Sequence, residues 1–231
     1  MRIRAVLFDA NGILIQPRES IGETYARILE QYGVRLPAWR LEDGLRRILA
    51  RNPFVALPGS RPPETQEAER LWWQERVRET IQAVDSTVAL SDFQAAFSAL
   101  FDHYASPKAW QLDPNARETL ERIRARPCAT GVVSNFDFRL IGILEGLGIA
   151  DLLETISIPS RSGFVKPDAR AFAYALEQLG VGASETVFVG HDPVTDDLGA
   201  QAAGILGISV PPPKSLLSVP TRIDEIATFD N

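Results

Sequence analysis

The chain has a single cysteine, Cys128, which excludes an internal disulfide and a zinc site built on several of its own thiolates. Set beside the apolar run that starts at Ala129, Cys128 reads as a small core hydrophobe rather than a reactive thiol. Long hydrophobic runs are missing too, and nothing approaches the roughly 18 apolar residues that a membrane span needs. Met1-Arg2-Ile3-Arg4 leads directly into an apolar segment with no small-residue cleavage site, so the expectation is a protein without a leader that stays in the cytoplasm. There is no basic excess: 24 Lys+Arg stand against 30 Asp+Glu, a net charge of -6, whereas a nucleic-acid partner usually leaves a basic footprint. Lysine is scarcest of the basic residues. Only Lys108, Lys166 and Lys214 occur among the 24, so a lysine retained in Lys166-Pro167-Asp168 carries more weight than one would in a lysine-rich chain.

What is present is a chain of 231 residues, 45% apolar, with a mean hydropathy of -0.05. That fits one large globular domain, or a core domain carrying a smaller insert. The most informative stretch is Val6-Leu7-Phe8-Asp9-Ala10-Asn11-Gly12-Ile13-Leu14. An apolar run ends in a lone carboxylate and breaks at once into a glycine turn, the pattern of a buried parallel strand that delivers Asp9 to its C-terminal tip. In open α/β sheets that tip is where ligands bind. Three later segments repeat it: Thr130-Gly131-Val132-Val133-Ser134-Asn135, the Lys166-Pro167-Asp168 loop, and Val187-Phe188-Val189-Gly190-His191-Asp192 running on to Asp196 and Asp197. Together they predict one site.

Between the first strand and the next clear one near residue 129, the periodicity is helical with no alternating strand pattern. Helices are predicted over residues 19–31, stopped by Gly33, and over 38–51, before Asn52-Pro53. A loop follows at Pro58-Gly59-Ser60-Arg61-Pro62-Pro63, then a long helix over 64–84 with Leu71, Trp72, Val77 and Ile81 on its apolar face. Ser91 is expected to cap a further helix ending near Tyr104. From Asp113-Pro114 a helix runs to Arg126, and strands and helices then alternate: strand 129–134, helix 138–147, strand 155–158, helix 169–179, strand 186–190, helix 197–203, strand 207–210. Such βα repeats imply a parallel sheet with helices on both faces, a Rossmann-like α/β fold. A proline-rich exit begins at Ser209, and residues 223–226 are expected to form one last turn.

The order of Asp9, Ser134, Lys166 and an acidic loop resembles the haloacid dehalogenase (HAD) superfamily, most of whose members are phosphatases acting through an aspartyl-phosphate. Within it the chain is similar to the subfamily IA branch around the rhythmically-expressed-gene-like hydrolases, through Leu71-Trp72-Trp73, the run from Val132 to Leu140, and Lys166-Pro167-Asp168 with Phe172 beyond. The resemblance implies a core of residues 1–15 and 107–231, with an all-helical cap, residues 16–106, inserted over the site. It implies that Asp9 attacks phosphorus, that Ser134 and the amide of Asn135 bind phosphoryl oxygens, and that Lys166 holds two mutually repelling anions together. It also implies Mg²⁺, a small phosphorylated metabolite as substrate, and a monomer or homodimer.

Two positions depart from that family's phosphatase pattern. Asn11 stands where a second Asp would protonate the leaving group, and an amide cannot transfer a proton at neutral pH; loss of a positioned general acid-base group typically costs about 10² to 10⁴-fold. In the acidic loop, anchoring on Gly190 and Gly199-Ala200 puts His191 where the metal-binding Asp belongs and Asp196 at the second acidic position. Anchoring on carboxylate spacing gives Asp192 and Asp197 instead. Because Mg²⁺ prefers hard oxygen ligands, the expectation here is that Asp192 turns inward to hold the metal with Asp9 and the main-chain carbonyl of Asn11, His191 lying beside the site. These departures keep two rivals open. One is a 2-haloacid dehalogenase-like hydrolase, whose Asp attacks carbon without a metal; the other is a binding protein that keeps the fold and has lost turnover.

Overall fold

The computed structural model describes residues 2–55, 64–88, 91–210 and 216–227. The first strand, β1 (Ala5–Phe8), ends at Asp9, and a tight turn with Gly12 at φ 82° leads to a short strand β2 (Ile15–Pro17). Four helices follow: α1 (Ile21–Gln31), α2 (Ala38–Arg51), α3 (Glu64–Val84) and α4 (Phe93–Ala105). The chain returns through β3 (Trp110–Leu112) and α5 (Ala116–Arg124) to β4 (Ala129–Val133), α6 (Leu140–Gly146) and β5 (Thr155–Ser157). Then come α7 (Pro159–Ser162), α8 (Ala169–Leu179), β6 (Thr186–Gly190), a π-helical turn over Pro193–Leu198 running into α9 (Gly199–Ala202), β7 (Leu206–Ser209) and α10 (Ser218–Ile226).

Five strands form one sheet in the order β5-β4-β1-β6-β7, all parallel, with Phe8 level with Val132 on one side and Val189 on the other. β1 is central, and the chain winds outward from it first to one side and then to the other. The C-terminal end of β1 is therefore the switch point at which an open α/β sheet leaves a crevice. Successive side chains alternate between the faces: Val6, Phe8, Val132, Val187 and Val189 pack under α5, α6 and α10, while Leu7, Val133 and Phe188 meet Phe172, Ala175 and Ala200 of α8 and α9. The strands are buried on both faces, which is why they read as apolar runs without alternation.

Helices α1 to α4 carry an apolar cluster of their own, including Tyr25, Leu29, Leu41, Leu45, Val77, Ile81, Phe97 and Leu100. Several local expectations are corrected. The pair β2 and β3, antiparallel with Ile15 level with Leu112, lies at the entry to and exit from this helical layer, and strands of three residues are too short to show alternation. Asp92, rather than Ser91, caps α4, its carboxylate accepting from the Ala95 amide at 3.1 Å. On α3 the core face is Val77 and Ile81, while Leu71 is 52% exposed, so the apolar stripe is narrower than its sequence suggests. The helix expected at 197–203 begins earlier as the π-helical turn, and the last helical turn is a full helix, α10. The loop predicted at residues 58–63 and prolines 211–213 lie outside the described residues. Among the described residues no helix is long and apolar enough to cross a membrane.

Candidate active site

Four strand ends and loops converge beyond the C-terminal edge of the sheet. Asp9 follows β1, its amide donating to the Val189 carbonyl at 2.9 Å, and its side chain is buried. Ser134 follows β4; its amide donates to the Ser157 carbonyl at 3.0 Å and its hydroxyl accepts from the Phe136 amide at 3.3 Å. Lys166 arrives on the loop before α8, through a cis peptide to Pro167. Its ammonium donates to Asp9 Oδ1 at 2.9 Å and to Asp196 Oδ1 at 2.6 Å. A buried lysine between two buried carboxylates is stable only as a set, since removing one partner leaves charge uncompensated.

Asp196 is held from the other side as well. Its Oδ2 accepts from the His191 amide at 2.9 Å and the Asp192 amide at 3.0 Å. Burial alone would raise its carboxyl, but the Lys166 charge and hydrogen bond, with the two amides, outweigh burial and hold it below the usual carboxylate range. Gly190 makes this geometry possible. A Cβ there would stand 2.5 Å from the Cβ of Asp196 and 2.6 Å from its Oδ2, so the carboxylate lies across the strand end only because that residue has no side chain.

His191 points its Nδ1 at the same centre, 3.8 Å from Asp9 Oδ2 and 3.7 Å from Asp196 Oδ2. That nitrogen is buried and makes no hydrogen bond among the described residues. One ligand atom from each of Asp9, His191 and Asp196 lies within 4.8 Å of the others. Two carboxylates and an orphaned imidazole nitrogen could hold a divalent cation, with a donor set softer than the all-oxygen shell that Mg²⁺ favours.

Asp192 does not turn inward as the sequence suggested. Its Oδ1 accepts from the amides of Val194 and Thr195, at 2.9 and 2.7 Å, and from the Thr195 hydroxyl at 3.0 Å. The free amides at the start of the π-helical turn have first claim on a carboxylate one residue upstream, and the Thr195 and Val194 bonds hold its pKa down against burial. The loop therefore follows the register anchored on Gly190. Asp197 lies outside the cluster, its pKa raised by burial and by the charges of Asp196 and Asp192. Asn11 lines the cavity beside Asp9. The Asn135 side chain is spent on the Lys166 backbone, its Oδ1 accepting from the Lys166 amide at 2.7 Å and its Nδ2 donating to the carbonyl at 2.9 Å. This clamp fixes the lysine loop to the end of β4.

A cavity of about 390 Å³ opens above these groups, between the sheet edge and α1 to α4. On its wall lies a polar cluster that the sequence left without a role. Asp137 takes Arg139 in a two-pronged pair at 2.8 and 2.6 Å and accepts from the Trp73 indole of α3 at 2.6 Å. The Arg139 guanidinium lies 3.9 Å from the centre of the Phe101 ring of α4. Glu69 of α3, 4% exposed, accepts from the Phe138 amide at 2.9 Å. Burial pushes its carboxyl up to about 7, the Phe138 amide opposing and the Asp137 charge adding to the rise. The loop that carries Ser134 and Asn135 is thus tied directly to the helical layer. The pair Trp72-Trp73 and the run after Asn135 were visible as a signal, but nothing in the spacing joined them.

A family model described as haloacid dehalogenase-like hydrolase matches residues 3–204. The haloacid dehalogenase-like hydrolase domain-containing protein 3 of Danio rerio is 34% identical over 206 residues, covering 89% of this chain and 84% of that protein. The Rhythmically expressed gene 2 protein of Drosophila melanogaster is 24% identical over 210 residues, covering 88% and 81%. Among solved structures, a HAD phosphatase from Thermococcus onnurineus superposes with a TM-score of 0.62 at 21% identity, covering 90% of this chain and 86% of that one.

Proposed function

The chain belongs to the haloacid dehalogenase-like hydrolase family, and on that premise we propose that it is a slow phosphohydrolase that takes the phosphoryl group of a small phosphorylated metabolite onto Asp9. The observation that carries this reading is the Lys166 ammonium bonded to both Asp9 and Asp196 at the cavity floor. That cation offsets the repulsion between a carboxylate and an incoming phosphate and aims an Asp9 oxygen at phosphorus. The Ser134 hydroxyl, engaged only by the Phe136 amide in the hydrogen bonds at this loop, is free to donate to a phosphoryl oxygen, as is the amide of Asn135. Asp196 acts through Lys166, fixing its position. Helices α1 to α4, within residues 16–106, serve as a cap over a core made by residues 1–15 and 107–231, closing the site to water and selecting the substrate.

Mg²⁺, or a softer divalent ion, held by Asp9, the main-chain carbonyl of Asn11, and His191 with Asp196, would supply further positive charge against the phosphoryl oxygens. The chain's own contribution is to place two carboxylates and an imidazole nitrogen where they face it. With Asn11 in place of an acid, no side chain at that position protonates the leaving oxygen or activates water, so both halves of the reaction are slowed.

Intact-protein mass spectrometry after brief incubation with acetyl phosphate and Mg²⁺ tests the reading. A phosphoryl adduct is expected on the wild type and absent from Asp9→Asn. Its absence from both, with no cleavage of p-nitrophenyl phosphate, would sink the proposal. Asn11 and the imidazole at His191 favour one rival, attack of Asp9 on carbon in a haloacid, and chloride release from 2-chloropropionate would then replace phosphate release.

A further inference from the structure

We infer that the substrate is an aryl phosphate, an ester of phosphate with a phenol carried on an apolar ring system; this rests on the phosphohydrolase reading above. Two independent features converge on it. The first is the wall of the cavity. Above the Asp9 and Lys166 floor the space is lined by Leu45, Leu49, Val77, Phe101, Trp110 and Phe136 among others, and its volume of about 390 Å³ falls in the range of small-molecule sites, roughly 300 to 1,000 Å³. Trp110 and Phe136 already meet edge to face, with ring centres 5.1 Å apart, and a third ring beside them would find the same geometry.

The charged groups of that wall, Asp137 and Arg139, are committed to each other, to the Trp73 indole and, at 3.2 Å, to the Phe101 carbonyl. Of the two tyrosines on the wall, Tyr25 and Tyr104, the hydroxyl of Tyr104 is fully buried, so at most one hydroxyl remains for a polar substituent. One hydroxyl cannot serve the row of hydroxyls on a sugar, each of which would lose roughly tenfold in affinity when buried unpaired.

The second feature is Asn11. In the transfer an Asp9 oxygen forms the new bond to phosphorus, the bond from phosphorus to the ester oxygen breaks, and its electron pair leaves on that oxygen. An alkoxide, whose parent alcohol is about as weak an acid as water, needs a proton at that moment. A phenolate, whose parent acid lies near 10, departs as the anion and takes its proton from solvent afterwards. A site without an acid and with an apolar, ring-lined chamber is matched to the second leaving group and mismatched to the first.

The experiment compares 1-naphthyl phosphate, phenyl phosphate and glycerol 3-phosphate on the full chain with Mg²⁺, with Asp9 phosphorylation by acetyl phosphate measured in parallel. Naphthyl and phenyl esters have similar leaving groups and differ in apolar area, so the chamber should favour naphthyl at least tenfold in kcat/KM, with glycerol 3-phosphate at least a hundredfold below phenyl. Leu49→Trp, which fills the half-buried upper wall, should abolish the naphthyl preference, and Val77→Phe gives the same readout should Leu49→Trp fail to fold. An adduct from acetyl phosphate with no naphthyl preference, or with glycerol 3-phosphate cleaved as fast as phenyl, overturns the aryl assignment and leaves the phosphohydrolase reading standing. No adduct and no cleavage of any ester overturns both.

Discussion

Lys166 shows how much of this site hangs on one side chain. Its ammonium is the shared partner of Asp9 and Asp196, and all three side chains are buried. Lys166→Met keeps the length and apolar stem but leaves two carboxylates facing each other in a poorly solvated pocket. The expected loss in stability at pH 7 is about 3 kcal/mol, read from urea unfolding. The sign with pH follows from Asp196, whose folded pKa is lowered. In the wild type that contributes stability above the unfolded carboxyl pKa of about 3.9, lost as pH falls through the lower folded value. In Lys166→Met that contribution is missing from the start, so the gap between the two proteins should hold as the pH is brought down to about 4 and narrow below it. A gap independent of pH would mean that Lys166 acts by packing alone. The sequence made Asp9, Ser134 and Lys166 visible because each ends an apolar strand or breaks a lysine-poor background. It misdirected at Asp192, because a carboxylate that caps a turn and one that faces a metal look alike until the two amides and the hydroxyl that claim it are located in space.

At the scale of elements, what positions the site is the tie between α3 and the loop after β4. Glu69 accepts the Phe138 amide from a buried position, and its folded pKa of about 7 stands above the ordinary glutamate value of about 4.3. A group raised on folding contributes stability that is complete below the unfolded pKa and is lost as pH rises through the folded one. The protein should therefore weaken between about pH 5 and pH 8, by roughly 2 to 3 kcal/mol at most from this group. Glu69→Gln keeps an oxygen to accept from the Phe138 amide and carries no charge. Thermal melts of the two proteins should coincide near pH 5 and separate at pH 8 with the variant higher; a wild-type Tm that is flat across this range counts against a buried ionising Glu69. This tie was not legible in the sequence. Glu69 sits on a charged helix face, 69 positions from Phe138, and nothing local marks it as buried. The long helices were legible because their apolar spacing repeats over several turns, whereas β2 and β3 hold one another across an interval of almost a hundred residues.

Across the whole molecule, the sheet order places the earliest strand in the middle. The parallel sheet could be read from the sequence because its strands are buried on both faces, and so could the convergence of their tips; the helical layer over those tips could not be docked by periodicity, which gives faces and not partners. β1 is paired along both edges, and its residues Ala5, Val6, Leu7 and Phe8 are fully buried. Opening it requires opening the sheet. Native-state hydrogen exchange should find its amides and those of β6 the slowest in the chain, near the global unfolding free energy, with α2 and α4 exchanging by smaller openings. Equal protection throughout would show instead that helices and sheet open as one unit.

The central place of β1 also bears on synthesis. Of the five strands in this sheet the ribosome makes β1 before the others, yet its partner β4 follows about 120 residues later and β6 about 60 after that. At roughly 5 to 20 residues per second, four apolar residues with two open edges wait roughly 6 to 25 seconds for their first neighbour. During that interval the nascent chain carries a strand edge that any other chain can pair with, and it is then that this protein most needs a chaperone's shelter.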